Sequence, residues 1–291
     1  MWVITDDPGG MGRTLLVELD PATGKIARTT PVQGDHGWLT RWYRRGPVLL
    51  ALATNTARRI DPANGAVMWS TDMDAMDEFH PTLRARSMAI PCKNASRTLC
   101  SLSLDDGKLL GRVDGVVQAA TPRNDGPLYT LAATAVSAWS RDDVPDWSSA
   151  LPAGHVGKGV VASQRWVLVL SESGAPPHPD YLLRALRAAD GQVAWERHSA
   201  PEGYLGYLAA DGELAAYYTS HDATLWVRDL STGEEVPAHR FTGHFVISPD
   251  ATGNSPPIPS GDPFLFGSYL LVPDFDLWCA MRVRPGSKPP E

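Results

Sequence analysis

The chain has 291 residues, 43% of them hydrophobic and 20% charged, with a net charge of −7. That length can bury one large core or two medium ones, and the composition excludes wholesale disorder. Without a dense basic stripe, duplex nucleic acid is excluded as the main partner, and three cysteines are too few for a disulfide scaffold.

The opening segment, MWVITDDPGG, lacks the basic and apolar regions of a secretory leader, and no apolar run reaches the roughly 20 residues of a membrane span. The expectation is a cytoplasmic protein with no membrane contact. MWVIT and TLLVELD then read as strands. A hairpin phrase follows, LDPATGKIAR at 19–28, and returns as IDPANGAVMW at 60–69. Between the two lies an aromatic and basic strand with Trp38, Arg41, Trp42, Tyr43, Arg44 and Arg45. After Trp69 come the strand-like runs HPTLRA, SMAIPC, RTLCSLSL and KLLGRV, with the phrase repeated as LSLDDGKLLG at 102–111. A weaker copy, AWSRDDVPDWS, spans 138–148. Next are GVVASQ, RWVLVLSE, YLLRALRA and QVAWERH, carrying LRAADGQVAW at 186–195. Then come YLGYLAA, ELAAYYTS, TLWVRDL and EEVPAHRF, with RDLSTGEEVP at 228–237. HFVISPD reads as an inner strand, about 250–263 as a Pro-rich insertion, and PFLFGSYLLV and DLWCAMRV as one strand each.

The phrase has a simple physical basis. A strand ends in Asp and small residues, a Gly supplies positive φ, and a second strand returns. Gly24, Gly65, Gly107, Gly191 and Gly233 are spaced by 41, 42, 84 and 42 residues. The 84 is two periods, so Asp143, four residues before Trp147, is expected to take the left-handed turn position of the missing Gly. Four short strands in a period of about 42 residues, with no helical periodicity, predict an all-β fold: a β-propeller of four-stranded antiparallel blades. The strands predict a single domain over 1–291 with seven blades, the first lacking its innermost strand and the last its outermost. Six blades, with His244–Pro249 completing the first, is the alternative.

The wording L-D-x-x-T-G-K, with Trp four residues after the Gly at Trp69 and Trp195, resembles the quinoprotein-type (pyrroloquinoline-quinone-like) propeller repeat. The resemblance implies that Trp69, Trp147 and Trp195 dock between adjacent blades. The same repeat, similar in plan to WD repeats, occurs in quinone dehydrogenases, in outer-membrane assembly lipoproteins and in non-catalytic binding proteins. The dehydrogenases are longer and exported and carry a vicinal Cys pair, which this chain lacks. No cofactor is therefore expected.

Chemistry-bearing motifs are scarce. The sequence has no nucleophile elbow, phosphate loop or His-Glu-x-x-His, and Asp72, Asp74, Asp77 and Glu78 lack the Gly and distal Glu of a calcium loop. The histidines are the better signal. Counting strands from the channel outward, His36, His80, His155, His198 and His244 fall in connections from an outer strand to the next inner one. His178 and His221 fall between second and third strands, which emerge at the same end. Trp38, Arg41 and Tyr204, on adjoining inner strands, complete the predicted binding face. The ring spreads these residues too far apart for a shared metal, whose ligands must lie within about 2.3 Å of one point. Arg58 and Arg59 are expected to pair with Asp of neighbouring blades. Cys92 and Cys100 flank a hairpin, but a reduced compartment would leave them as thiols, and would leave the Asn94-Ala95-Ser96 sequon unused. The reading is a non-catalytic scaffold or adaptor that binds a protein or peptide partner through the loop-rich face. The alternative is a small metal-dependent propeller enzyme of lyase, lactonase or cyclotransferase type.

Overall fold

The short apolar runs fold as strands, each pairing antiparallel with the next. A computed structural model describes residues 2–6, 14–20, 22–33, 41–45, 47–53, 55–73, 82–122, 126–174, 179–198, 205–219, 224–235, 264–266, 269–274 and 277–282. Among them every helix or strand is a strand, so no helix is long and apolar enough to cross a membrane. The chain forms two compact units, Met1–Asp114 and Gly115–Glu291.

The first unit holds three sheets. β1 (Trp2–Asp6), β2 (Thr14–Leu19) and β3 (Ile26–Pro31) form one. β4 (Arg41–Arg45), β5 (Val48–Ala53), β6 (Thr56–Ile60) and β7 (Val67–Asp72) form the second, and β8 (Thr82–Leu83), β9 (Ser87–Pro91), β10 (Leu99–Ser103) and β11 (Leu109–Val113) the third. The second unit begins with the sheet β12 (Val116–Ala120), β13 (Leu128–Ala132), β14 (Ala135–Trp139) and β15 (Trp147–Ala150). β16 (Val156–Ala162), β17 (Trp166–Ser173), β18 (Asp180–Arg187) and β19 (Val193–His198) follow. Two three-stranded sheets end it: β20 (Leu205–Asp211), β21 (Leu214–Thr219) and β22 (Thr224–Asp229), then β23 (Phe264–Phe266), β24 (Tyr269–Asp274) and β25 (Leu277–Arg282). The seven sheets of the described residues follow the up-and-down strand order of β-propeller blades.

The middle strands β5 and β17 are buried on both faces because a sheet lies on either side of each. Alternation along β5 sends Leu49 and Ala51 toward Leu16 and Val32 of the first sheet, and Leu50 and Leu52 toward Met88 and Ile90 of the third. β17 repeats the arrangement. Val167 and Val169 join Tyr129 and Leu131, while Leu168 and Leu170 join Ala215 and Tyr217. Each fully buried aliphatic side chain contributes about 1.5–3 kcal/mol.

The repeated tryptophans lock neighbouring blades. The indole N–H of Trp69 donates to the Leu104 carbonyl at 3.0 Å, Trp147 to Ala188 at 3.0 Å and Trp195 to Leu230 at 2.8 Å. Each acceptor stands three residues before the turn Gly of the next hairpin. Each ring lies on that Gly: a Cβ at Gly191 would sit 2.4 Å from the Trp147 ring. Arg28 stands where the first blade would have its Trp. It donates to Pro62 and Ala63, both at 3.3 Å, so a guanidinium reaches the carbonyl that an indole reaches elsewhere. Arg59 pairs with the adjacent blade as expected, donating to the Leu104 carbonyl at 2.7 Å with Asp105 at 3.5 Å.

Two expectations fail. Asp143 does not take a left-handed conformation; among the described non-glycine residues only Asn94 and Arg97 do. The connection from β14 to β15 is wider than the Gly turns. It closes through the Asp146 N–H on the Ala138 carbonyl at 2.8 Å, and the Asp146 carboxylate accepts from the Ser140 N–H at 2.6 Å. The carboxylate supplies the closure, so neither positive φ nor the bulge seen between β18 and β19 is needed. PFLFGSYLLV is two strands, not one: β23 and β24 pair as a hairpin from Phe264↔Leu271 to Phe266↔Tyr269. The Gly-Ser dipeptide between them is a two-residue hairpin signal. β23 packs beside β20, the innermost strand of the previous sheet, and so takes the inner place expected of HFVISPD. His244–Pro249 and the insertion at about 250–263 lie outside the described residues.

Candidate binding face

In the sheets that carry a Gly turn, the two ends are built differently. One end carries the Gly turns. Their N–H groups are consumed locally: Gly24 donates to Asp20, Gly65 to Asp61, Gly191 to Arg187 and Gly233 to Asp229, at 2.8–2.9 Å. The carboxylates of Asp20, Asp61 and Asp229 each accept from the N–H two residues on, at 2.8 Å. The Lys108 ammonium, the Ser103 hydroxyl and the Lys108 N–H hold the Asp106 carboxyl down to about 2. Such turns are short and self-satisfied. The wider connections 121–127 and 140–146 are exceptions at this end.

The opposite end carries the connections at 32–40, 73–81 and 92–98 in the first unit, and at 151–155, 174–179, 199–204 and 220–223 in the second. His155 and His198 lie at this end of the β16–β19 sheet, as strand order requires, but at opposite edges. His155 Nδ1 stands 3.3 Å from the hydroxyl of Ser171, which is fully buried. His198 Nδ1 stands 3.0 Å from a carboxylate oxygen of Asp180 on the solvent side. Lys158 and Glu172 pair beside them at 2.5 Å. The two imidazoles thus have separate partners. Among the described residues no three His, Cys, Asp or Glu side chains converge as a metal site. Arg41 belongs to β4; His36, Trp38, His80, Tyr204 and His244 lie outside the described residues. Of the other aromatics on β4, Trp42 packs toward the first sheet and Tyr43 toward the third.

The third sheet carries a feature at this end that sequence reasoning turned away from. Cys92 and Cys100 form a disulfide across the connection between β9 and β10, with Cα atoms 5.1 Å apart. The expectation of free thiols is therefore corrected. Pairing of Leu99 with Pro91 places Cys100 beside the strand that Cys92 has just left, within bridging distance. Spacing and hairpin position were the available signal; the compartment expectation overrode it. The same connection is tied to its surroundings. Lys93 pairs with Asp72 at 2.6 Å, and this hydrogen bond holds the Asp72 carboxyl below its usual range. The Thr98 hydroxyl donates to Asp114 at 2.9 Å; together with the Arg112 guanidinium it lowers that carboxyl too.

A family model described as outer membrane protein assembly factor BamB matches residues 8–239. The chain belongs to this family. No curated protein sequence matches it. Among solved structures, BamB from Moraxella catarrhalis is 15% identical, with 93% of this chain and 77% of that one aligned at a TM-score of 0.55. The C-terminal WD40 domain of Sif2 is 10% identical, covering 78% of this chain and 66% of its own at a TM-score of 0.49. The β-propeller domain of Cps50 (Swd1) from Myceliophteria thermophila is 14% identical, covering 71% and 86% at 0.42. At 15% identity the likeness to the BamB structure shows the fold alone, and fold does not give function.

Proposed function

We propose that the protein is a non-catalytic interaction propeller that holds a protein or peptide partner through the loop-rich ends of its sheets, the end that bears His155 and His198 in the second unit and the end that bears the disulfide-linked connection in the first. The observation that carries this reading is the asymmetry of the sheets. The Gly-turn end is short and hydrogen-bonds to itself, whereas the other end displays connections with charged and aromatic residues on a rigid scaffold, where binding usually resides. Membership of a family described as an assembly factor supports a task performed on other proteins. His36, Trp38, Arg41, His80, Tyr204 and His244 extend the proposed face.

Paired charge reversals test it. Tagged protein carrying Lys93→Glu with Asp180→Lys is compared with Asp106→Lys with Asp190→Lys, scoring a co-purifying partner at equal thermal stability. The first pair should weaken capture by about tenfold or more, because like charges facing each other across an interface cost several kcal/mol. Loss with the second pair alone would put the site at the Gly-turn end.

A further inference from the structure

We propose that the Cys92–Cys100 disulfide is a permanent clip that fixes the 92–100 connection in one conformation, and that the protein works where thiols are oxidised. The connection is the most strained described segment. Asn94 and Arg97 sit at φ 57° and 55°, the only described non-glycine residues in the left-handed region. Asn tolerates that conformation, but Arg has no side-chain device to offset it, and such residues persist only where the surroundings over-determine them. The over-determination is visible. The Cys92 N–H donates to the Thr98 carbonyl at 2.9 Å and the Thr98 N–H to Ala95 at 3.1 Å, inside a loop the disulfide closes over a separation of 8 residues. Lys93–Asp72 and Thr98–Asp114 tie the loop down outside the ring.

The sulfurs are placed to persist. Cys92 is 4% exposed, and Cys100 packs against the cluster of Met88, Ile90 and Leu102. Reductants therefore have little access to the Cys92 sulfur. Bond formation takes two protons and two electrons from the two thiols by exchange with the disulfide of a thiol–disulfide oxidoreductase, which leaves as the dithiol. Such a bond is maintained in oxidising compartments and is rare where glutathione keeps thiols reduced.

The test uses the full chain taken from its own cells, with thiols trapped by iodoacetamide in denaturant at lysis. Peptide masses should show Cys279 alkylated and Cys92 linked to Cys100, both becoming alkylated only after reduction. Trypsin supplies a second reading, because Lys93 and Arg97 lie within the clipped loop and are exposed. Cleavage after either should accelerate about tenfold in the Cys92→Ser/Cys100→Ser variant, since the clip no longer opposes local opening. Should that variant fail to fold, reduced wild-type protein gives the same comparison. Three alkylated cysteines at lysis, or equal cleavage rates with and without the bond, would overturn the proposal.

Discussion

Tyr129 on β13 is completely buried, and its hydroxyl has no hydrogen-bond partner among the described residues. The ring earns its place through packing, with the Trp147 ring centroid 5.9 Å away in a tilted arrangement. Burial first, and the charge of Asp146 second, push the phenol up to about 12 from 10.0. The unfolded chain therefore releases this proton before the folded one does. The contribution is present below about pH 10 and is lost as pH rises toward 12. An unpaired buried hydroxyl is destabilising, so Tyr129→Phe should stabilise the protein by up to about 1 kcal/mol at neutral pH. The variant should also lose less stability than wild type between pH 10 and 12. Chemical denaturation across pH checks both, and a loss above about 1 kcal/mol at neutral pH would show that the hydroxyl has a partner.

At the scale of the element, the Gly turn does two jobs. Positive φ is common to Gly24 and Gly65, but only Gly65 also admits a close neighbour: a Cβ there would meet the Pro31 carbonyl oxygen at 2.0 Å, whereas at Gly24 nothing lies within 4 Å. Gly24→Ala should cost about 1–2 kcal/mol for its conformation alone. Gly65→Ala should cost about 3 kcal/mol or more, because backbone must also move. Equal midpoint shifts in urea would contradict the docking of the second hairpin on the first blade. These turns were legible because Asp, small residues and Gly state the turn chemistry outright, and their spacing states the blade. The connection at 140–146 was not, since its closure rests on Asp146, a residue that says nothing about geometry until it is folded against Ser140. The hairpin at β23–β24 was hidden by continuous hydrophobicity on both sides of its Gly-Ser pair. Arg28 in the place of a tryptophan had no sequence signal, because only the folded blade shows both side chains reaching the same carbonyl.

At the scale of the whole molecule, strand order alone placed His155 and His198 at one end of their sheet, and the structure agrees. Strand order could not say what they touch. Ser171 and Asp180 come from two different strands, and only register brings one to each imidazole. The third sheet's clipped loop was visible as a pair of cysteines eight residues apart, and a compartment argument obscured it. Function was the least legible level, because a binding face is defined by its partner and a propeller repeat encodes only the scaffold. The proposed function turns on which end of the sheets does the binding. Site-specific photo-crosslinking in living cells measures that directly, with benzoylphenylalanine placed at the loop-rich ends of the sheets (Lys93, His155 or His198) and at their Gly-turn ends (Ala22, Ala63 or Asp190). Crosslinks to one and the same protein are expected from the first set and none from the second. Crosslinks from the Gly-turn positions alone would contradict the proposed function.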